Sequence, residues 1–196
     1  MKVHVLSYTA FRVLPIRLDN PFTLIAEIPE ALRLMVTHSE KTLALTYSDK
    51  LELVLNTKKV WHRFIEFSEP VKTVEQAASK VHVEKIAKSI VMVDSAGDSL
   101  LAIVPAKSKV SHKKLKSILG VRDVRLATPE EVLRHSGYPA GGVPPFSNIS
   151  RILLDPQVLE KETAIVGGGD VNKLLEVRTG DIIAILSPKI ADISQT

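Results

Sequence analysis

The stretch GYPAGGVPPF, residues 137–146, holds three glycines and three prolines and carries no charge. Proline fixes φ at about −65° and glycine permits positive φ, so this composition predicts a stiff loop instead of a helix or strand. A rigid loop of bare backbone suits a ligand that must come close to the main chain. A compact loop with a purely structural role is the alternative.

A second candidate for chemistry is a basic segment. From Ser99 to Arg122 there is no acidic residue. The cations of this segment are Lys107, Lys109, Lys113, Lys114, Lys116 and Arg122. Lysines grouped in this way favour a polyanion such as a nucleic acid backbone. A solvated helix face is the other interpretation.

The composition excludes several other classes of site. The 196 residues include no cysteine, so thiol catalysis and thiolate metal sites are excluded. The six histidines form no HxH or HExxH pair, and we expect no metal. No apolar run is long enough for a membrane span and the N-terminus does not resemble a signal peptide. We therefore expect a cytoplasmic protein without a membrane partner.

The elements that must position these residues alternate irregularly, and hairpins recur. This pattern predicts an α+β fold with a mixed, mostly antiparallel central sheet flanked by helices. Residues 1–47 form a small N-terminal extension with three strand-like runs and no chemical motif, and residues 48–196 form the main domain.

Local signals predict where several helices begin. Ser48, Ser111 and Thr128 are suited to cap helices, and Gly137 is suited to end the last of these. A further capping box is predicted from Thr73 to Gln76. The apolar runs around the turn SAGD predict a β-hairpin.

Taken in order, several motifs resemble the YbaK/ProX family of aminoacyl-tRNA editing domains. They are TVEQAA (73–78), IAKSI (86–90), RLATPEEV (125–132), SGYPAGGVPP (136–145), ILLD (152–155) and VGGG (166–169). The resemblance covers about residues 50–194, and the protein resembles the members that act without a synthetase body. Residues 1–47 lie outside it.

The resemblance implies hydrolysis of the ester of mischarged tRNA, with a small amino acid such as alanine or cysteine on tRNA for proline. It implies no cofactor and no DNA partner. The partners would be the acceptor 3′ end of tRNA and prolyl-tRNA synthetase. A non-catalytic RNA-binding protein with the same fold is the alternative.

The same resemblance implies roles for individual residues. Lys88 is the functional lysine, with Lys85 as its competitor. Gly141 and Gly142 would let the ester carbonyl approach main-chain N–H groups. The substrate-binding residues would be Tyr138, Val143, Pro145, Asp155, Gly167 and Gly168. The lysines of the basic segment would then contact the acceptor stem, with Lys113, Lys114 and Lys116 as the tRNA-binding residues.

Two of these assignments keep an alternative. Asp155 is equally suited to be a buried structural carboxylate. The glycines 167–169 could cradle a phosphate, although they lack the Lys-Ser/Thr of a P-loop, and close backbone approach is the better interpretation.

Overall fold

The computed structural model describes residues 45–71, 76–77 and 80–195. The chain divides into two units, residues 1–42 and 43–196, and all described residues belong to the second. Of the three strand-like runs in residues 1–47, those at 2–8 and 22–28 lie outside the described part of the chain. The third, 41–47, is described only from residue 45, and no strand forms in its described part because a helix begins at Tyr47. Most of the capping box predicted at 73–76 also lies outside the described residues.

The second unit contains four helices and ten strands among its described residues. The helices are α1 (Tyr47–Thr57), α2 (His112–Leu119), α3 (Pro129–Ser136) and α4 (Thr179–Leu186). The strands are β1 (His62–Glu66), β2 (Ala87–Asp94), β3 (Ser99–Pro105), β4 (Lys109–Val110), β5 (Val124–Leu126), β6 (Ile152–Leu154), β7 (Thr163–Gly168), β8 (Asp170–Arg178), β9 (Lys189–Ile190) and β10 (Ser194–Gln195). Short 3-10 helices span Val83–Lys85 and Pro156–Glu160.

The strands form three sheets. The largest has the order β5-β2-β3-β6-β9, in which β2 is antiparallel to β3 and β5, and β6 is parallel to β3 and β9. A second sheet, β1-β8-β7, and the pair β4–β10 are antiparallel throughout. The predicted mixed, mostly antiparallel α+β fold is confirmed.

The β2–β3 hairpin is apolar on both faces because each face covers a separate core. Val91 and Ile103 face the central core, which also contains Phe146 and Val143 from the 137–146 loop. Residues of the opposite face pack against Leu115 of α2. The hairpin is therefore held between two packed layers, and this fixes the position of the strand that carries Lys88.

Most of the predicted helix ends are observed. The Oγ of Ser111 accepts a hydrogen bond from the N–H of Lys114, and Thr128 forms a full capping box with Glu131. Gly137 ends α3 with φ of 79°.

The prediction for α1 is wrong by two residues. Thr46 is its N-cap and forms a capping box with Asp49. Ser48 lies inside the helix, and its hydroxyl donates to Asp170 at the start of β8. As local signals, Thr46 and Ser48 are equally suited to cap this helix. Only the distant partner Asp170 shows that Ser48 has a different role.

Candidate functional site

A cleft opens beside the first half of β2, on the side away from β3, where no described strand of the sheet pairs with it. Strand β5 pairs with β2 only at Met92–Asp94, so residues 87–90 of β2 have a free side facing the 137–146 loop. The cleft has a volume of about 250 Å³. Its apolar walls are Val71, Ile86, Ile90, Val143, Val166 and Leu174. Its other lining residues include Lys88, Ser89, Gly141 and Gly167.

Lys88 is the charged residue that lines this cleft. Its ammonium donates to the main-chain carbonyl of Ser108 at 2.8 Å, which fixes the long side chain. Burial lowers the pKa of Lys88, and the nearby Lys109 lowers it further. One acceptor occupies one of the three N–H groups of an ammonium, so two remain for an anion or a carbonyl.

The competing lysine is committed elsewhere. The amine of Lys85 donates to the hydroxyl of Thr163 at 3.1 Å and lies 3.5 Å from the carboxylate of Glu176. Glu176 is buried and also pairs with Arg63 at 2.6 Å. Lys85 is therefore part of an ion-pair network between β7 and β8, and it does not line the cleft.

The 137–146 loop is fixed at both ends. After α3, the Oγ of Ser136 donates to the carbonyl of Val132 and accepts from the N–H of Tyr138. At the other end, the side chain of Phe146 is fully buried in the central core. The loop is stiff because its anchors are packed, and it can hold main-chain groups in place before a ligand arrives.

Some main-chain N–H groups of this loop already have an acceptor and others do not. The N–H of Gly142 donates to the carbonyl of Pro139 at 3.0 Å and is already used. The N–H groups of Gly141 and Val143 donate to no acceptor in the described part of the chain. Both residues line the cleft. Among the loop residues that line the cleft, these are the main-chain donors without an acceptor in the described part of the chain.

This geometry corrects the role expected of Gly142. A Cβ on Gly142 would lie 2.3 Å from the carbonyl oxygen of Gly169, and the N–H of Gly169 donates to the carbonyl of Gly142. Gly142 lacks a side chain because another backbone segment packs against it. Gly141, with φ of 93° and no atom closer than 4.0 Å to its Cβ position, is the glycine that faces open space.

The glycines at the end of β7 serve the same backbone packing. A Cβ on Gly167 would lie 2.4 Å from the carbonyl oxygen of Val143, and one on Gly169 would lie 2.8 Å from the N atom of Ser48. A Cβ on Gly168 would lie 2.8 Å from the carbonyl carbon of Lys173. These contacts favour close backbone approach over a phosphate cradle, and of the three only Gly167 lines the cleft.

Two loop residues that were expected to bind substrate, Tyr138 and Pro145, lie outside the cleft lining. Tyr138 is buried with its ring 6.2 Å from that of Tyr47, and burial raises the pKa of its phenol to about 12. Pro145 is buried beside Phe146 in the chain. Because both side chains are buried, they hold the loop in place and do not reach the cleft.

Asp155 also lies outside the cleft lining. It is fully buried, and its carboxylate accepts from the N–H groups of Gln157, Ile193 and Ser194 at 2.9–3.1 Å. These bonds join the end of β6 to the C-terminal segment. They favour the structural carboxylate of the two alternatives that the sequence leaves open.

Only some of the lysines in the basic segment are free of ion pairs. Lys114 pairs with Asp192 at 2.6 Å, and Lys116 lies 3.7 Å from Asp123. The side chains of Lys107, Lys109 and Lys113 are exposed and have no partner among the described residues. Lys109 is close enough to Lys88 to lower the pKa of Lys88. Because Lys88 lines the cleft, at least one of these unpaired cations lies near it.

Sequence reasoning missed Ser89, whose hydroxyl is buried without a hydrogen-bond partner. A serine within an apolar strand carries no local signal of this kind. The structure also shows, among its described residues, no cluster of three or more potential metal ligands. Nor does any helix there have the length and apolar character needed to cross a membrane.

A family model and several relatives identify what this chain is similar to. The pattern of the aminoacyl-tRNA editing domain matches residues 68–185. The uncharacterized protein YwhH of Bacillus subtilis is 30% identical over 124 residues, which cover 60% of this chain and 78% of YwhH. The proline–tRNA ligase of Thermosipho africanus is 35% identical over 101 residues, half of this chain but only 18% of the ligase.

Solved structures share the fold of this chain. The crystal structure of hypothetical protein APE2540 is 30% identical, has a TM-score of 0.68, and is matched over 74% of this chain and 99% of its own. A second structure, of "a putative trans-editing enzyme for prolyl tRNA synthetase", is 26% identical with the same TM-score and is matched over 78% of this chain and all of its own. This chain therefore belongs to the aminoacyl-tRNA editing domain family.

Proposed function

We propose that this protein hydrolyses the ester bond between a small amino acid and the terminal ribose of a mischarged tRNA. The favoured substrate is alanine or cysteine on tRNA for proline, and the reaction would take place in the cytoplasm. The observation that carries the proposal is the cleft, where Lys88, Gly141 and Val143 line one small apolar space and the N–H groups of the last two have no acceptor among the described residues.

The size of the cleft supports a small acyl group. Its volume of about 250 Å³ is below the range of about 300–1,000 Å³ typical of drug-sized ligands. Its apolar walls suit a short aliphatic or thiol side chain.

The loop donors support the chemical step. When water attacks the ester carbonyl, its oxygen becomes negative, and main-chain N–H groups fixed in advance stabilise it by about 3 kcal/mol each. The bond to the ribose oxygen then breaks, and that oxygen takes a proton ultimately supplied by the water. The products are a free amino acid and the uncharged 3′ end.

No acidic or histidine side chain is among the described residues that line the cleft. The base that orients the water would therefore come from the substrate, either the neighbouring ribose hydroxyl or the α-amino group. Lys88 would hold the 3′-terminal phosphate or the carbonyl oxygen as a point charge.

The exposed lysines support binding of the tRNA body. Lys109 and Lys113 would contact phosphates of the acceptor stem, which position a nucleic acid without reading its sequence. Prolyl-tRNA synthetase is the proposed source of the mischarged tRNA. The alternative is a protein that binds aminoacyl-tRNA in the same way without cleaving it.

A pair of matched lysine variants tests the proposal. We expect Lys88→Ala to lower the rate of deacylation of alanyl-tRNA for proline at least tenfold without loss of folding. Lys85→Ala removes the same charge three residues earlier but outside the cleft, and we expect it to retain most of the activity of a folded protein. Equal rates for the Lys88 variant and the wild type would remove Lys88 from the mechanism.

A further inference from the structure

Ser89 lines the cleft and carries a buried hydroxyl that has no hydrogen-bond partner. The other such atom among the described residues is Nε of Arg151, a side chain whose Nη2 pairs with Asp94. Buried polar groups in folded proteins are nearly always paired, so an orphan hydroxyl beside a ligand cleft is a candidate for a ligand contact.

The register of β2 shows what Ser89 faces. Ser89 pairs with Ile103 and lies on the same face as Val91, toward the core that contains Val143 and Val166. Lys88 is on the opposite face, and both line the cleft because it opens at the free side of the strand. A ligand held between β2 and the loop would therefore have a cation on one side and a neutral hydroxyl on the other.

The main-chain carbonyl of Ser89 also points to that free side. The N–H of Ala106 donates to the carbonyl of Ile86, so even-numbered residues of β2 bond to β3. The main-chain groups of odd-numbered residues point away from β3, as shown by the carbonyl of Val91, which accepts from the N–H of Ala127. At Ser89 the carbonyl and the hydroxyl are thus two acceptors beside the same cleft.

An aminoacyl ester has one polar group besides the ester itself, its α-amino group. The loop donors suit the carbonyl, and Lys88 repels a second cation. With the α-amino group bound as an ammonium, the ribose hydroxyl is the group left to orient the water. We propose that Ser89 binds the α-amino group and makes the cleft selective for aminoacyl over simple acyl esters. This inference rests on the proposed function and names the group of the substrate that the site would recognise.

The experiment compares two esters on the same tRNA, alanyl and propionyl, which differ by the α-amino group alone. We expect Ser89→Ala to lower kcat/KM for the alanyl ester by about 10- to 100-fold, the effect of losing one hydrogen bond to a charged group. The propionyl ester should be cleaved by Ser89→Ala at the wild-type rate. Ser89→Thr retains the hydroxyl and should keep the preference for the alanyl ester.

A control separates this effect from damage to the fold. Ser147 is a fully buried serine outside the cleft lining, whose Oγ accepts from the N–H of Ile149. Ser147→Ala should lower the melting temperature and leave the ratio of the two rates unchanged. Ser89→Ala removes an unpaired hydroxyl, so its melting temperature should not fall.

The outcomes are distinct. An equal loss for both esters, or no loss for either, would overturn the inference while the deacylase activity stands. Wild-type protein that cleaves both esters equally well would do the same. If the wild type cleaves neither ester on any tRNA tested, the proposed function itself fails.

Discussion

Gly142→Ala is a severe test of how the loop is built, because the structure gives the added methyl group no room. The Cβ would lie 2.3 Å from the carbonyl oxygen of Gly169 and 2.9 Å from its carbonyl carbon. Both contacts are with backbone, in the turn between β7 and β8. The turn must therefore move by most of an ångström, and the hydrogen bond from Gly169 to Gly142 must lengthen or break.

The cost can be sized from these contacts. Overpacking of a filled interior costs about 1–3 kcal/mol, and the loss of the hydrogen bond adds to it. For a unit of this size each kcal/mol corresponds to a shift of about 2–4 °C in melting temperature. We expect Gly142→Ala to melt about 4–12 °C below the wild type, taking the sum as about 2–3 kcal/mol.

Thermal unfolding followed by circular dichroism measures this effect, and deacylation is measured on the same samples below the transition. Gly180→Ala is the control, since Gly180 lies in helix α4 with no atom within 4 Å of its Cβ position. That change should leave the melting temperature equal or raise it slightly. A Gly142→Ala protein that melts with the wild type would refute the packing described here.

Three further predictions concern the surface and the core. Replacing Lys109 and Lys113 together with alanine should weaken tRNA binding. The slope of log affinity against log salt should fall by about one for each phosphate that is no longer neutralised. Lys114 already pairs with Asp192, so Lys114→Ala should change this slope little. The carboxylate of Glu131 accepts two hydrogen bonds from Arg125 and one from the N–H of Thr128. These bonds, that of Arg125 first, lower the pKa of Glu131 to about 2. Glu131→Gln should therefore lower the melting temperature at pH 7, and the difference should fade as the pH falls from about 4.5 through about 2. Asp155→Asn should destabilise the fold by about 1–3 kcal/mol, measured by urea unfolding, because it places an amide donor against main-chain N–H groups; an unchanged midpoint would contradict the structural role.

Features that depend on local chemistry could be predicted from the sequence. Thr128, Glu131 and Gly137 fix the ends of α3 through contacts within a few residues, and the hairpin around SAGD follows from its turn. The stiff loop could be recognised because proline and glycine restrict or release the backbone on their own.

Features that depend on distant partners could not be predicted. By local chemistry alone Lys85 and Lys88 are equivalent, and only the resemblance favoured Lys88; in the structure Glu176, far along the chain, separates them by pairing with Lys85. The missing side chain of Gly142 is explained by Gly169, which meets it only when β7 and β8 are in place. Ser89 gave no signal because a missing partner is a property of the folded chain.

The central claim is that this protein cleaves a small aminoacyl ester, and the most direct measurement is release of labelled amino acid from tRNA. Purified protein would be mixed, at catalytic amounts, with tRNA for proline carrying alanine, cysteine or proline. We expect multiple turnovers on alanyl- or cysteinyl-tRNA and no cleavage of prolyl-tRNA above the spontaneous rate. Binding of all three without release above the spontaneous rate would contradict the claim and identify a binding protein instead.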